Sequence, residues 1–186
     1  MQPWAAEKFK SILSQHKGDV DPDSLHCSPP GPSRILLHHY PFEIVQVPGR
    51  VLIFYEYDHL YRIIYTDGRG HPQGDDLDPT WMGHSIGHWE GDTLVVDTIG
   101  INDKTWLDEI GHPHTDALRI TERIHRVDQN TLAMDLSFDD PKAYTKPWSG
   151  QKTFKLRKGW EIIEHVCQDN FLWQPKEDAG KEPPRN

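Results

Sequence analysis

One short segment holds the densest set of side chains that could transfer protons. Residues 105–116 read TWLDEIGHPHTD, so His112 and His114 lie within a few positions of Asp108 and Asp116. Histidine changes charge near neutral pH, and a neighbouring carboxylate can fix which ring nitrogen carries the proton. We therefore predict that His112, His114 and Asp108 take part in general acid–base catalysis.

Three further catalytic candidates lie in predicted strands and turns. Residues 50–57 and 60–66 are rich in strand-forming side chains and predict a hairpin with Glu56 opposite Arg62 and His59 at the turn. Two interpretations of that pair stay open, an outward salt bridge or an inward pair that orients a ligand. Glu122 is the polar member of an otherwise apolar strand face, which indicates a pocket carboxylate or an edge-facing side chain. We include Glu56, His59 and Glu122 among the catalytic candidates.

A second group of residues is expected to line a substrate pocket. Asp97 interrupts the apolar run LVVDT, where a buried carboxylate needs partners, although capping a loop is the simpler role. Aromatic side chains supply apolar walls with a polar edge. The predicted substrate-binding residues are Tyr55, Arg62, Trp81, His88, Asp97 and Trp106.

Other kinds of site are less well supported. The chain has no Gly-x-Ser-x-Gly motif, and its two cysteines lie far from residues 105–116, which disfavours a serine or cysteine hydrolase. A metal site is an alternative, with His112 and His114 as neighbouring ligands and Asp116 or His71 completing the shell. Solvated loop histidines are the simplest alternative. We predict no cofactor and no bound metal.

The elements that must position these residues are one helix and many short strands. Residues 3–17 predict a helix, because Pro3 suits its first turn and Gly18 its end. Residues 18–34 predict an ordered arm rich in turns. The predicted strands cover residues 42–47, 50–57, 60–66, 84–89, 93–100, 117–126, 131–138, 152–157 and 160–168, with long loops at 69–82 and 101–116.

This succession of hairpins indicates a closed sheet. About nine antiparallel strands in sequence order would leave exposed edges unless the sheet curls round on itself. We predict an all-β fold, an antiparallel up-and-down, lipocalin-like β-barrel of about eight to ten strands with an N-terminal helix. An open β-sandwich is the alternative. The predicted domain covers residues 1–174, and residues 175–186 predict a disordered tail.

Charge and hydropathy restrict the partners. The chain of 186 residues has a net charge of −9 and no run of basic residues, so we predict neither nucleic acid nor membrane as a partner. No stretch approaches the roughly 20 apolar residues of a membrane span. We expect a small-molecule partner and leave a homodimer open. The absence of a signal-peptide pattern predicts a cytoplasmic protein, or an exported one if a leader has been removed.

The two cysteines allow two interpretations. Cys27 and Cys167 are either unrelated thiols or a disulfide that ties the arm to the last strand. Such a disulfide would close a loop of about 140 residues and stabilise the fold by roughly 4–5 kcal/mol in the chain-entropy model.

Several motifs resemble those of a group of bacterial proteins without an assigned function, common in soil bacteria. The clearest are YEYDHLYR at residues 55–62, WEGDTLVVDT at 89–98, GHPH at 111–114 and DPKAYTKPW at 140–148. The resemblance covers residues 1–173. It implies relatives that often carry an export signal and both cysteines, and it implies no particular activity or catalytic residue.

Taken together, the residues favour an enzyme. We expect a barrel pocket in which histidine and carboxylate side chains perform acid–base catalysis, as in a lyase, dehydratase or isomerase that needs no cofactor. The expected substrate is a small hydroxylated or aromatic organic molecule. A non-catalytic ligand-binding barrel and a histidine-ligated metalloprotein are the alternatives.

Overall fold

The protein is built on one curled sheet of eight strands. The computed structural model describes residues 1–15 and 20–167. The strands are β1 (Phe42–Val47), β2 (Arg50–Tyr55), β3 (Tyr61–Tyr65), β4 (His84–Glu90), β5 (Thr93–Ile99), β6 (Arg119–Asp128), β7 (Thr131–Asp139) and β8 (Trp148–Lys155). They lie side by side in sequence order and form a half-barrel. The predicted β-rich, barrel-like fold with an N-terminal helix is confirmed.

The strand pairing departs from a purely antiparallel meander at one place. Six of the seven neighbouring pairs are antiparallel, but β3 and β4 pair in parallel. Only two residue pairs join them, Ile64 with Ser85 and Tyr65 with Ile86. β4 therefore begins beside the end of β3 and continues in the same direction, after the long connection formed by residues 66–83.

The concave side of the sheet holds a packed apolar core. Leu94, Val96 and Thr98 of β5 are buried, while Asp97 between them points to the other face. This alternation follows from the two-residue period of a strand. The core contains Val51, Ile53, Ile64, Leu94, Val96, Ile120, Ile124, Met134, Leu136 and Phe138. We predicted a polar interior lined by acids and imidazoles. That prediction is wrong for this part of the sheet, where apolar side chains fill the interior.

One ion pair interrupts the apolar core. Arg62 of β3 binds Glu122 of β6 through both of its terminal nitrogens. It also donates to Ser85 of β4 at 2.9 Å and to Thr98 of β5 at 2.7 Å. All four side chains are buried, so this network joins four adjacent strands from inside the sheet. A buried ion pair needs such complete hydrogen bonding to offset the cost of removing two charges from water.

The predicted partnership of Arg62 with Glu56 is wrong. Ile53 lies opposite Arg62 in the β2–β3 ladder, and Tyr55 donates its N–H to Leu60 at 2.8 Å. The connecting loop is thus longer than the three residues that would have aligned the charges. It holds a short 3-10 helix, Tyr57–His59, in which Asp58 and His59 have positive φ angles.

The N-terminal helix packs against two loops beyond the sheet. Helix α1 (Pro3–Leu13) is shorter than the predicted 3–17, and residues 16–19 lie outside the described part. Ala5 is fully buried, and Trp4 donates its Nε1–H to Lys142 at 2.8 Å. The helix thereby covers the turn that follows β7. No helix in the described ranges combines the length and the apolar character needed to cross a membrane.

A disulfide fixes the arm between α1 and the sheet. A short helix, α2 (Pro22–His26), ends at Cys27, which forms a disulfide with Cys167. Arg34 donates two hydrogen bonds to the buried Asp21, at 2.7 and 2.6 Å. Of the two interpretations of the cysteines, the disulfide is the one the structure contains.

The predicted final strand is absent from residues 160–167. This segment instead donates backbone hydrogen bonds to the loop after β2, from Ile163 to Glu56 at 3.1 Å and from Cys167 to Asp58 at 3.4 Å. The acidic side chains of that loop and the disulfide hold the segment away from β8. Residue 168 and the predicted tail, residues 175–186, lie outside the described residues.

Candidate active site

Asp108 and His112 form a hydrogen-bonded pair in the loop between β5 and β6. Asp108 Oδ2 lies 2.5 Å from His112 Nδ1. Its other oxygen, Oδ1, accepts the backbone N–H groups of Ile110, Gly111 and His112 at 3.1 to 3.2 Å. One carboxylate thus both shapes the turn and holds the imidazole, which is the orienting role predicted for Asp108.

Helix α1 fixes the position of the same turn. Gly111 has a φ angle of +99°, and a Cβ atom there would lie 2.5 Å from Cγ2 of Ile12. Both the backbone conformation and the close approach of the helix therefore require glycine. On the next residue, the imidazole of His112 stacks on Phe9 with the ring centroids 4.2 Å apart.

The hydrogen bond between the two side chains has a definite direction. An ionised carboxylate only accepts hydrogen bonds, so Nδ1 of His112 donates to Oδ2 of Asp108. Burial favours the neutral form of Asp108, but the hydrogen bonds from His112 outweigh it and keep the pKa of that carboxyl below its usual value. Nε2 of His112 makes no hydrogen bond to any residue in the described ranges, and in the neutral ring its lone pair is available to a ligand.

An aromatic depression adjoins this imidazole. It has a volume of about 410 Å³, within the range of about 300–1,000 Å³ usual for small-molecule sites. Its lining residues are Met1, Asp108, His112, Tyr144, Thr145, Lys146 and Trp148. The side chains of His112 and Asp108 are only 25% and 24% exposed. The pair is therefore partly shielded from water yet open on the side of the depression.

The turn after β7 provides the opposite wall. Asp140 caps this turn by accepting the N–H groups of Lys142 and Ala143, each at 3.1 Å. The phenol of Tyr144 donates to Pro113 at 2.9 Å, and burial together with nearby carboxylates raises its pKa. Tyr144 thus remains a neutral wall residue whose proton is already donated to the backbone.

Trp148 and Lys146 complete the site with different chemistry. The indole of Trp148 stacks on Phe138 at 4.2 Å, which holds it against the core at the start of β8. Its Nε1 is buried without a hydrogen-bond partner among the described residues. Lys146 is exposed at the rim and has the only cationic side chain among the lining residues. The depression therefore combines an apolar floor with the imidazole of His112 and the positively charged side chain of Lys146.

His114 lies near this pair but faces the protein interior. It is 2% exposed, and its ring nitrogens lie 2.7 Å from Thr105 Oγ1 and 3.1 Å from the carbonyl oxygen of Thr115. Burial lowers its pKa below the usual value. His114 therefore holds the loop together and does not line the depression.

The other catalytic candidates are scattered over the fold. Glu122 lies in the core ion pair with Arg62, and Tyr55 is buried beside them. Glu56 is buried under the final segment, whereas His59 is exposed in the β2–β3 loop. None of these side chains lies in the aromatic depression.

The remaining predicted binding residues also lie elsewhere. Trp106 is buried with the guanidinium of Arg34 5.3 Å from its ring centroid, and Trp81 is partly buried. His88 is exposed on β4. Asp97 belongs to a separate cluster on the convex face of the sheet. The structure thus brings together only Asp108 and His112 of the predicted site residues at this depression.

Sequence reasoning missed most of the walls of the depression. Three of its lining residues, Tyr144, Lys146 and Trp148, lie far along the chain from His112. The ring of Phe9, which stacks on His112, comes from the N-terminal helix. The DPKAYTKPW motif at residues 140–148 contained a sequence signal for these walls. Its acidic, aromatic and basic residues, close together in sequence, suit a capped turn beside a binding site. Nothing in its spacing connected it to the GHPH motif.

A second depression lies near the tip of the β4–β5 hairpin. It has a volume of about 440 Å³ and is lined by Gln46, Trp89, Gly91, Asp92 and Arg126. It contains no histidine and no hydrogen-bonded acid–base pair. The depression beside His112 is therefore the better candidate for proton-transfer chemistry.

Neither the side chains nor comparisons with known proteins point to a more specific assignment. Within residues 1–15 and 20–167, no three or more His, Cys, Asp or Glu side chains are grouped so that they could hold a metal ion. No family model matches the chain, and no curated protein or solved structure matches it either.

Proposed function

We propose that the depression binds a small organic molecule with an aromatic or apolar part and that His112 transfers a proton to or from it. One observation carries the proposal. The imidazole has Nδ1 held by Asp108 while the ring lines an aromatic depression of about 410 Å³, which leaves Nε2 as a base facing the ligand space. A positioned base of this kind contributes typically about 10²–10⁴-fold to a reaction rate.

The arrangement suits an elimination or an isomerisation. Nε2 of His112 takes a proton from a carbon of the ligand, and the electron pair of that C–H bond forms a new C=C bond. In a dehydratase the neighbouring C–O bond breaks and the leaving hydroxyl takes the proton back from His112 as water. In an isomerase the neighbouring C=C bond of the ligand breaks as the new one forms, and its electron pair takes the proton back from His112 at the far carbon. Asp108 stabilises the imidazolium in both cases.

The lining residues suggest which ligands fit. Tyr144 and Trp148 offer flat apolar contacts, and Lys146 can bind a carboxylate or a developing oxyanion at the rim. A hydroxylated aromatic or unsaturated acid meets both requirements. No redox cofactor is needed for either reaction.

A deuterium-exchange experiment tests proton transfer without knowledge of the full reaction. The protein is incubated in D₂O with a panel of hydroxylated aromatic and α,β-unsaturated acids, and deuterium at carbon is measured by mass spectrometry. We expect exchange or water loss for at least one compound with the native protein and a loss of about 10²-fold or more with His112→Gln.

The control is His88→Gln. The side chain of His88 is 66% exposed and bonds only to Glu90 within the described residues, so the substitution should leave exchange unchanged. Equal exchange in the native protein and His112→Gln would refute the assignment of the base. Melting curves of both variants show that the fold is intact.

Binding without turnover is the second candidate function. The observation that favours it is that Tyr144 already donates its hydroxyl to Pro113 at 2.9 Å, so this phenol is not a second proton donor beside His112. A carrier would quench the fluorescence of Trp148 on ligand addition and return the ligand unchanged. Saturable quenching without exchange at carbon for any bound compound would select this function over catalysis.

A further inference from the structure

Two histidines on the convex face of the sheet share a hydrogen bond between their Nδ1 atoms. His71, in the long connection before β4, has Nδ1 2.9 Å from Nδ1 of His84, the first residue of β4. Their rings are nearly perpendicular, with an angle of 71° between the planes. Neither residue belongs to the depression beside His112.

A carboxylate lies behind one of the two rings. Nε2 of His71 is 3.1 Å from Oδ2 of Asp97, and Arg119 binds the same carboxylate through two nitrogens at 2.7 and 2.6 Å. The side chains of His71 and Asp97 are 9% and 19% exposed. Asp97 only accepts hydrogen bonds, so Nε2 of His71 donates to it. In the neutral ring Nδ1 then has the lone pair and accepts from Nδ1 of His84. A histidine held by a carboxylate in this way is the usual arrangement of a metal ligand.

The distance between the two nitrogens matches neighbouring positions around a metal. With metal–nitrogen bonds of about 2.0–2.1 Å, two ligands at a right angle lie about 2.9 Å apart, whereas a tetrahedral site would separate them by about 3.3 Å. Right-angled nitrogen ligands are typical of square-planar or tetragonal copper(II) and nickel(II). The 2.9 Å distance is also an ordinary hydrogen-bond length, so it permits a right-angled pair of ligands without selecting the metal. The preference for copper(II) rests on its affinity for nitrogen ligands.

We propose that His71 and His84 form a two-histidine binding site for a late divalent transition metal, with copper(II) bound most strongly. Water fills the other positions, which agrees with the absence of a third protein ligand in the described ranges. Copper(II) has the highest affinity for nitrogen ligands among the first-row divalent ions. On binding, the proton of His84 moves from Nδ1 to Nε2, so that both Nδ1 lone pairs bind the metal and no net proton is released.

The surrounding charges are compatible with this site. Arg119 neutralises Asp97, and Arg69 is engaged by Asp67 and by the ring of Tyr65. The metal would thus be held by neutral nitrogens and not by a net negative charge. This favours ions that bind imidazole strongly and disfavours calcium and magnesium, which need oxygen ligands.

Copper(II) titration of the intact protein tests the proposal. We expect one site with a Kd below about 100 µM, and an electron paramagnetic resonance spectrum with two imidazole nitrogens. His71→Gln and His84→Gln should each weaken binding by more than about tenfold and remove one nitrogen from the spectrum. Asp97→Asn should weaken binding by about 10–100-fold while both nitrogens remain, because it positions His71 without touching the metal.

His88→Gln is the matched control on the same strand as His84. It should leave the Kd for copper(II) and the number of nitrogens in the spectrum unchanged. A native Kd above about 100 µM, or single variants that bind copper as the native protein does, would overturn the proposal and indicate adventitious surface binding. A variant that fails to fold does not decide the matter. In that case substoichiometric copper(II) must broaden the ring signals of His71 and His84 in the native protein before those of His88, and the reverse order overturns the site.

Discussion

Replacing Asp108 by Asn should invert the tautomer of His112. In the native protein the carboxylate accepts the Nδ1–H at 2.5 Å, so the neutral imidazole has its lone pair at Nε2. An asparagine can keep its oxygen on the three backbone N–H groups, so its NH₂ group takes the place of Oδ2. That group donates, and His112 must then accept at Nδ1 and carry its proton on Nε2. The base facing the depression would be lost although the turn is preserved.

The magnitudes follow from the contacts that change. The substitution removes one charge-assisted hydrogen bond, and such bonds contribute about 1.5–3 kcal/mol. Because the pair is about one quarter exposed, we expect a loss of about 1–2 kcal/mol and a fall in Tm of roughly 2–8 °C. In a Ser-His-Asp triad the same change lowers kcat by about 10⁴-fold, and we expect a loss of about 10²-fold or more in deuterium exchange.

The pH dependence of stability has a definite sign. The folded-state pKa of Asp108 is lowered, so the unfolded chain takes up a proton first as the pH falls. The stabilisation by this pair is therefore complete above the unfolded-state pKa and is lost as the pH falls through the folded-state value. Asp108→Asn should remove that part of the acid sensitivity.

Nitrogen NMR of the histidine rings measures the tautomer directly. We expect protonated Nδ1 and free Nε2 for His112 in the native protein and the reverse in Asp108→Asn. His114 serves as an internal reference, since its Nδ1 faces the carbonyl oxygen of Thr115 and its tautomer should not change. A native His112 protonated at Nε2, or an unchanged tautomer in the variant, would refute the reasoning.

Three further predictions concern the fold. Glu122→Gln should lower the free energy of unfolding, measured with denaturant, by about 3–5 kcal/mol, because it leaves the charge of Arg62 buried and unpaired. The double variant Arg62→Met with Glu122→Leu should lose less stability. A larger loss in the double variant would contradict this reasoning. Gly111→Ala should lower the free energy of unfolding by about 2 kcal/mol or more, and Gly150→Ala, with open space around it, by less than about 0.5 kcal/mol. Reduction of the disulfide should cost roughly 4–5 kcal/mol in the chain-entropy model, and an unchanged melting curve under reductant would exclude that role.

The sheet could be predicted from sequence wherever local signals agreed. The hairpin of β4 and β5 was found almost to the residue, because alternation on both strands and Glu90-Gly91-Asp92 between them point to the same structure. The final hairpin was wrong because residues 160–167 have strand-like composition but bond to a distant loop. The parallel step at β4 has no local signal, since it depends on the path of residues 66–83.

The contacts at the candidate site and at the histidine pair on the convex face differed in the same way. Asp108 and His112 are four residues apart, so their contact could be proposed from spacing and chemistry alone. The contact between His71 and Asp97 could not, because a loop residue and a strand residue meet there only after the sheet has formed. The pocket walls at Tyr144 and Trp148 were missed for that reason as well.

The parallel step between β3 and β4 is the boundary with the fewest paired residues in the sheet. Two residue pairs join the first three strands to the other five, against five to nine pairs at every other boundary. The guanidinium of Arg62 crosses this boundary with hydrogen bonds to β4, β5 and β6, and we expect the two groups of strands to unfold as separate cooperative units. Local opening should begin at the boundary between β3 and β4. The amide hydrogens of Ile64 and Ser85 should therefore exchange with solvent before those inside the β6–β7 ladder.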